Sequence, residues 1–453
     1  MKASKYNMFW TLDNGTTIAF NSMTCALAEI NEDFMDILND IDNLVYEELT
    51  GDRKALADQM LLGNYILKDS FDELKVIKYR HFAGKFNSDS LGLTIAPTLS
   101  CNFGCPYCYE NPKNGTMASE VQDGIVELVT EAAKQRKEIS ITWYGGEPLL
   151  AKSIISDMSE RMIRVCEENG ASYGAFIVTN GYLLDDEMIE QFKRLKISGA
   201  QITLDGPPRI HNTRRMLKTS DKGTFDTILN HIRKLKESGI NNISIRINID
   251  KTNVDYIEEL LDILIENGLN DVGIGLGHVN AYTDACTSVA EACMNTEEYA
   301  RNNVKYQDIL HRKGFSAGGY PYYPGIKANY CCADSSSAFV LDPEGYMYKC
   351  WNDVGTVDKA VGNVLKRSEA PEEDMYMRNV NYIFWSPFDY EECVACSLLP
   401  VCMGGCPYNG TRNGSKPECE KWKYNLEDVL KLTYLQKKDN PEPVCTGEAC
   451  GCE

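Results

Sequence analysis

The chain has 453 residues, too many for one ordinary core, and its 43% hydrophobic and 25% charged residues fit a soluble protein of two or three domains. A formal charge of −20 repels phosphate backbones and no run of about 18 uncharged apolar residues is present, so neither nucleic acid nor a bilayer is an expected partner. The opening MKASKYNMFW lacks the apolar stretch of a secretory signal, which predicts a cytoplasmic chain, and there eighteen cysteines point to metal or cluster ligation rather than disulfides.

In chain order, FWTL, Asp13-Asn14-Gly15 and TTIAF read as a β-hairpin. Helical stretches follow at 32–41 and 53–62, then a short apolar segment at 65–67 and a helix over 71–83. Residues 1–88 are thus expected to form a small α+β unit, winged-helix-like in layout. From residue 91 short β-branched runs alternate with amphipathic helices, and strands are expected at 91–97, 139–145, 175–181, 200–206, 243–250 and 271–279. The helices between them show one apolar face, as in Val121, Ile125, Leu128 and Ala132, or Ile257, Leu260, Leu261 and Leu264. Six βα units over 89–300 predict an α/β fold built on a partial (β/α)6 barrel, whose chemistry sits on loops at the C-terminal ends of the strands. Beyond residue 300 the periodicity weakens and glycine, proline and cysteine rise. The stretch 301–453 is therefore a third unit with short helices that leans on clusters for stability. Cys25, Cys166, Cys286 and Cys293 stand alone and read as packing residues.

The chemistry begins at CNFGCPYCYE, directly after the first barrel strand. Three thiolates within eight residues, Cys101, Cys105 and Cys108, can wrap three irons of a cubane and leave the fourth without a protein ligand. A zinc knuckle, the alternative, wants a fourth Cys or His, and none lies nearby. This Cys-x3-Cys-x-aromatic-Cys pattern, with Tyr107 as the aromatic, resembles the radical S-adenosylmethionine (SAM) superfamily. The resemblance implies that the fourth iron chelates the amino and carboxylate groups of SAM. An electron from the reduced cluster then cleaves SAM to a 5'-deoxyadenosyl radical that abstracts hydrogen. Gly145-Gly146-Glu147-Pro148 resembles the family's segment for the methionine amino group: glycines let the backbone come close and a carboxylate can accept from an ammonium. A plain glycine turn ending a strand is the other reading. Thr179-Asn180-Gly181 and Leu204-Asp205-Gly206, followed by His211 and Arg214, resemble later segments. The implied SAM contacts are Tyr107, Gly145, Gly146, Glu147, Asn180 and Arg214. Relatives often carry His-Asp where this chain has His211-Asn212, so that pair is given no catalytic role and the proton acceptor stays unknown.

Further along, Cys332 and Cys350 flank Asp342-Pro343-Glu344-Gly345, and Cys393, Cys396, Cys402 and Cys406 run as Cys-x2-Cys-x5-Cys-x3-Cys before Cys419. Read alone, the second run fits a zinc ribbon. Beside the cysteine loop it resembles a SPASM domain, which implies two auxiliary 4Fe-4S clusters and three clusters in all. The transferred pattern gives Cys393, Cys396, Cys402 and Cys419 to one and Cys332, Cys350 and Cys406 to the other. Family members with full ligation have a further cysteine several residues before Cys332. Here only the adjacent Cys331 is near, so that cluster is either open or closed by Cys331. The tail holds Cys445, Cys450 and Cys452 and reads as a short mobile segment or a thiol donor.

Enzymes with this extension mostly modify polypeptides, and residues 1–88 resemble in layout the recognition elements that take a leader peptide as an extra strand. The resemblance implies a maturase of a ribosomally made precursor peptide that installs a cross-link, first a Cys thioether. A small electron donor such as flavodoxin or ferredoxin would serve it. Carbon–carbon cross-linking and formylglycine formation on a sulfatase precursor remain alternatives, as does an iron-sulfur electron carrier with no catalysis.

Overall fold

Asp13-Asn14-Gly15 turns the chain between strands β1 (Asn7–Thr11) and β2 (Thr17–Asn21) in the computed structural model, which describes residues 1–439 except 111, 282, 316–322, 371 and 413–415. Gly15 sits at φ +84°, a conformation that favours glycine. Strand β3 (Ala26–Ile30) completes a three-stranded antiparallel sheet. Helices α1 (Glu32–Asn39), α2 (Gly51–Leu62) and α3 (Glu73–Lys85) follow, with Asn31 and Asp72 capping the first and third. Alternation along β2 sends Ala19 toward Phe34, Ile37, Met60 and Tyr65 of the helical side. Ile18 and Phe20 turn the other way, onto Leu426, Val429 and Leu430 of a C-terminal helix, Trp422–Asp439. The N-terminal unit is thereby docked on the far end of the chain.

Six strands then run parallel in sequence order: β4 (Ser90–Ile95), β5 (Glu138–Trp143), β6 (Ser172–Thr179), β7 (Ile197–Thr203), β8 (Asn242–Ile249) and β9 (Gly273–His278). They are joined through α4 (Ser119–Ala133), α5 (Lys152–Asn169), α6 (Asp186–Arg194), the short α7 (Pro208–Arg214), α8 (Phe225–Glu237) and α9 (Ile257–Glu266), and α10 (Thr296–Arg312) follows the last strand. On β8, Ile243, Ile245, Ile247 and Ile249 are buried in one core with Ile228 and Ile232 of α8 and Leu260, Leu261 and Leu264 of α9. The intervening Ser244, Arg246 and Asn248 face the opposite side, into the mouth of the curved sheet.

Two features differ from the sequence expectation. A strand of the C-terminal unit, β10 (Ala338–Leu341), pairs in parallel with β4, and β11 (Tyr346–Tyr348) and β12 (Gly362–Asn363) extend it into an open nine-stranded sheet. The third unit is therefore continuous with the barrel through backbone hydrogen bonds. Its helices are also not all short: Trp422–Asp439 spans 18 residues and buries Leu426, Val429 and Leu430. Helix α10 runs across residue 300, where the composition changes, because a capping box of Asn295 and Glu298 starts it and Asn425 of the C-terminal helix donates to the Ala300 carbonyl at 3.0 Å. Among the described residues no helix is long and apolar enough to cross a membrane.

Candidate active site

The C-terminal ends of β4 to β9 meet the loop that carries Cys101, Cys105 and Cys108. Gly145 and Gly146 pass directly beneath the base of that loop. A Cβ at Gly145 would lie 2.3 Å from the Thr98 carbonyl oxygen, and one at Gly146 would lie 2.3 Å from that of Ser100. Gly146 N–H donates to Thr98 O at 3.2 Å and Glu147 N–H to Ser100 O at 2.9 Å. The glycines thus allow a close approach to the chain just before the first cysteine.

Glu147 is fully buried, and its carboxylate accepts from Leu149 N–H (3.0 Å), the Thr179 hydroxyl (2.7 Å) and Asn180 N–H (2.8 Å). The side chain clamps the ends of β5 and β6 together. It was expected to receive an ammonium; instead its oxygens are engaged within the wall, while Gly145 and Gly146 line the cavity. Asn180 does reach the cysteine loop: Nδ2 donates to Asn102 Oδ1 at 2.8 Å and lies 4.0 Å from Cys101 Sγ.

Tyr107 is held from two sides. Its hydroxyl donates to the buried carboxylate of Asp205 and accepts from Arg215 Nη1 at 2.7 Å. Asp205 in turn accepts from Asn248 N–H at 2.9 Å, which ties the cysteine loop to β8. Arg214, the arginine singled out from the sequence, does not line the cavity. Its Nη1 donates to both carboxylate oxygens of Asp250, at 2.9 and 2.8 Å, and its Nη2 donates to Asn248 O at 3.1 Å. One residue later the backbone leaves α7, and Arg215 takes the position in the cavity wall. His211 is fully buried between Asp205 N–H (3.3 Å) and the Thr224 hydroxyl (3.1 Å), while Asn212 Oδ1 accepts from Thr224 and Phe225 N–H at the start of α8. Both act in packing and capping.

A cavity of about 290 Å³ gathers these pieces. The three cysteines, Tyr107, Gly145, Gly146, Asn180 and Arg215 share its lining with Thr203, Arg246, Asn248 and His278 from β7 to β9. Tyr109, Glu110 and Tyr144 close another side. The Tyr109 and Tyr144 hydroxyls bond each other, and Tyr144 packs on Trp351 with ring centroids 4.2 Å apart. Burial pushes the Glu110 carboxyl up to about 7, and its Oε2 has no hydrogen-bond partner. Burial likewise pushes the Cys101 thiol up to about 11, Cys108 up to about 12 and Cys105 upward. Such thiols ionise when a cationic group takes the charge, and a three-thiol loop facing a cavity fits an iron-sulfur cluster with one open iron.

In the C-terminal unit, Cys393, Cys396, Cys402 and Cys419 line one cavity of about 160 Å³ together with Leu398 and Leu399. Four soft sulfurs around an apolar void larger than one ion fit a polynuclear cluster. Among the described residues, no three Cys, His, Asp or Glu converge tightly enough to hold a single ion. Burial pushes the Cys350 thiol up, with Asp353, Cys406 and Cys332 adding to the effect. Cys331 and Cys332 are exposed side by side. The fully buried Lys349 adds a charge beside Cys332 and donates to Ala338 O at 2.7 Å. Cys166 and Cys286 are buried and Cys25 and Cys293 half-buried, and Cys25 packs against the same apolar cluster as Cys396 and Cys402. Cys445, Cys450 and Cys452 lie outside the described residues.

Residues 95–264 match the Radical SAM superfamily. The radical SAM cyclopropyl synthase TigE of Paramaledivibacter caminithermalis is 22% identical over 94% of this chain and 95% of its own length. A cysteine-type anaerobic sulfatase-maturating enzyme of Clostridium perfringens is 23% identical over 70% of this chain and 88% of its own. The structure of Streptococcus suis SuiB bound to its precursor peptide SuiA superposes with a TM-score of 0.52 at 17% identity, covering 93% of this chain and 98% of that one.

Proposed function

We propose that this chain, a radical SAM enzyme related to peptide and sulfatase maturases, acts on a ribosomally made precursor peptide, abstracting hydrogen from one residue and closing a cross-link, foremost a Cys thioether. The observation that carries the reading is the single cavity shared by the cysteine loop, Gly145, Gly146 and Asn180 on one wall and polar side chains of β8 and β9 on the other. Cys101, Cys105 and Cys108 would hold the 4Fe-4S cluster, which together with SAM supplies a carbon-centred radical. Asp205 and Arg215 fix the loop through Tyr107, and Glu147 holds the strand ends against it. The sets Cys393, Cys396, Cys402, Cys419 and Cys332, Cys350, Cys406 would hold two auxiliary clusters, a sink for the electron released when the bond closes. A donor of the flavodoxin or ferredoxin kind would resupply the first cluster.

The match to TigE and the likeness to SuiB, over 94% and 93% of the chain, must take in most of residues 1–88. That extent supports a leader-binding role for the N-terminal sheet, whose outer strands are β1 and β3. Two other readings have a specific observation behind them: carbon–carbon bond formation, from the full-length relative that is a cyclopropyl synthase, and formylglycine formation, from the sulfatase-maturating relative.

Mass spectrometry of a Cys-containing peptide encoded beside the gene, co-expressed with the enzyme, separates them. Loss of two hydrogens with one thiol blocked to alkylation is the expected result. The same loss with every thiol free indicates a carbon–carbon bond, a Cys turned aldehyde indicates formylglycine, and an unchanged mass contradicts the peptide reading.

A further inference from the structure

Two cationic side chains line the cavity, and they belong to different walls. Arg215 stands on the cysteine side, bonded to Tyr107 and acting on the Cys105 thiol. Arg246 stands on β8 against β9, facing inward with Asn248 while Ile245 and Ile247 are buried on the outer face. Its Nε donates to Asn248 Oδ1 at 3.1 Å. The guanidinium lies over the Cα of Gly277, where a Cβ would come within 2.1 Å of both Nε and Nη2. Glycine at 277 is therefore what gives the guanidinium its place. Among the described residues no carboxylate pairs with Arg246, although Asp and Glu number 66 against 46 Lys and Arg in the chain.

An arginine left without an ion partner inside a cavity offers a planar fork suited to bidentate contact with a carboxylate. We infer that Arg246, seated over Gly277 and oriented by Asn248, binds a carboxylate in this cavity: the side chain of an Asp or Glu of the peptide substrate. It thereby selects which stretch of the precursor is presented for reaction. The inference rests on the peptide-maturase reading. Its placement favours the substrate over the methionyl carboxylate of SAM, because the cysteine loop, Gly145, Gly146 and Arg215 cluster about the ends of β4 to β7, whereas Arg246 lies on β8 beside the last strand. The fixed guanidinium also overcomes, at one point, the repulsion that a net charge of −20 presents to an acidic peptide.

Equilibrium dialysis tests this with the full-length, cluster-reconstituted protein and two pools of end-blocked pentapeptides, one with Glu at the centre and one with Gln, quantified by mass spectrometry. A charge-assisted fork contact predicts that the wild type retains the Glu pool about tenfold more than the Gln pool. Arg246→Gln removes the charge and Gly277→Ala displaces the guanidinium, and both are expected to abolish that preference. Equal retention of the pools by the wild type, or a preference that survives Arg246→Gln, overturns the inference. Survival together with weaker SAM binding in Arg246→Gln assigns the arginine to the cofactor's carboxylate instead. Retention of neither pool also overturns it, while the peptide reading is judged separately by the mass of the co-expressed precursor.

Discussion

Arg215 donates from Nη1 to the Tyr107 hydroxyl at 2.7 Å, joining the cysteine loop to the segment after α7 across 108 positions of sequence. Arg215 is buried and its Nε has no hydrogen-bond partner among the described residues, so the Nη1 bond to Tyr107, with Asp205 nearby, is part of what compensates the buried charge. Tyr107→Phe is expected to cost about 1.5–3 kcal/mol of loop stability, the usual range for a hydrogen bond to a charged group. Iron loss from the first cluster to a chelator should accelerate by about tenfold or more. Unchanged iron retention in Tyr107→Phe would remove this contact from the account.

Glu147 offers a sharper test of the wall. Three donors converge on its carboxylate, and an amide in its place would set an NH2 group against an N–H or leave a buried donor unmade. Glu147→Gln should therefore destabilise the fold by about 1–3 kcal/mol, read as a lower denaturation midpoint. A midpoint equal to that of the wild type would show that the clamp between β5 and β6 carries no weight.

Docking of the N-terminal unit depends on Phe20, fully buried against the C-terminal helix. Phe20→Ala is expected to cost about 3–5 kcal/mol and to expose residues 1–88 to limited proteolysis. Uncoupled SAM cleavage should persist, because the barrel core is separate from this contact. Proteolysis at the wild-type rate would mean that the docking seen between β2 and Trp422–Asp439 does not hold the unit in place.

Acid should weaken the fold through His211. Burial, with Arg215 and Arg214 adding to it, holds its folded pKa well below the ordinary value, and the neutral ring accepts from Asp205 N–H. The unfolded state then binds more protons, so stability is full above about pH 6.5 and declines as pH falls below it toward the folded pKa, by at most about 1.4 kcal/mol per pH unit. Between pH 7.5 and pH 5.5 the apparent melting temperature of the wild type should fall more steeply than that of His211→Asn. Parallel profiles would contradict the assignment.

Much of this was legible in the residues. The six parallel strands follow from β-branched runs between amphipathic helices, and the Asp-Asn-Gly turn from its demand for positive φ. The cysteines of the loop line one cavity and Cys393, Cys396, Cys402 and Cys419 another, the second being the grouping that the resemblance to a SPASM domain implies. What spacing cannot show is orientation: Arg214 and Arg215 are adjacent, and only the end of α7 decides which one faces the cavity. A carboxylate in a loop can as well cap neighbouring N–H groups as meet a ligand, and Glu147 accepts from Leu149 and Asn180 N–H. Arg246 and Asn248 carried a usable signal, since polar residues alternate with isoleucines in Asn242–Ile249, and the inward face of a barrel strand is where such residues act. The join of β10 to β4 is a long-range pairing with no local signature.

In the proposed reaction, radical chemistry starts at the three-cysteine loop. The most direct measurement is 5'-deoxyadenosine formation from SAM by anaerobically purified, chemically reduced protein, compared with a variant in which Cys101, Cys105 and Cys108 are all alanine. Product is expected from the wild type and none from the variant, with visible absorbance from the proposed auxiliary clusters retained. Product from the variant, or a wild type that contains zinc and no iron, would contradict the proposal.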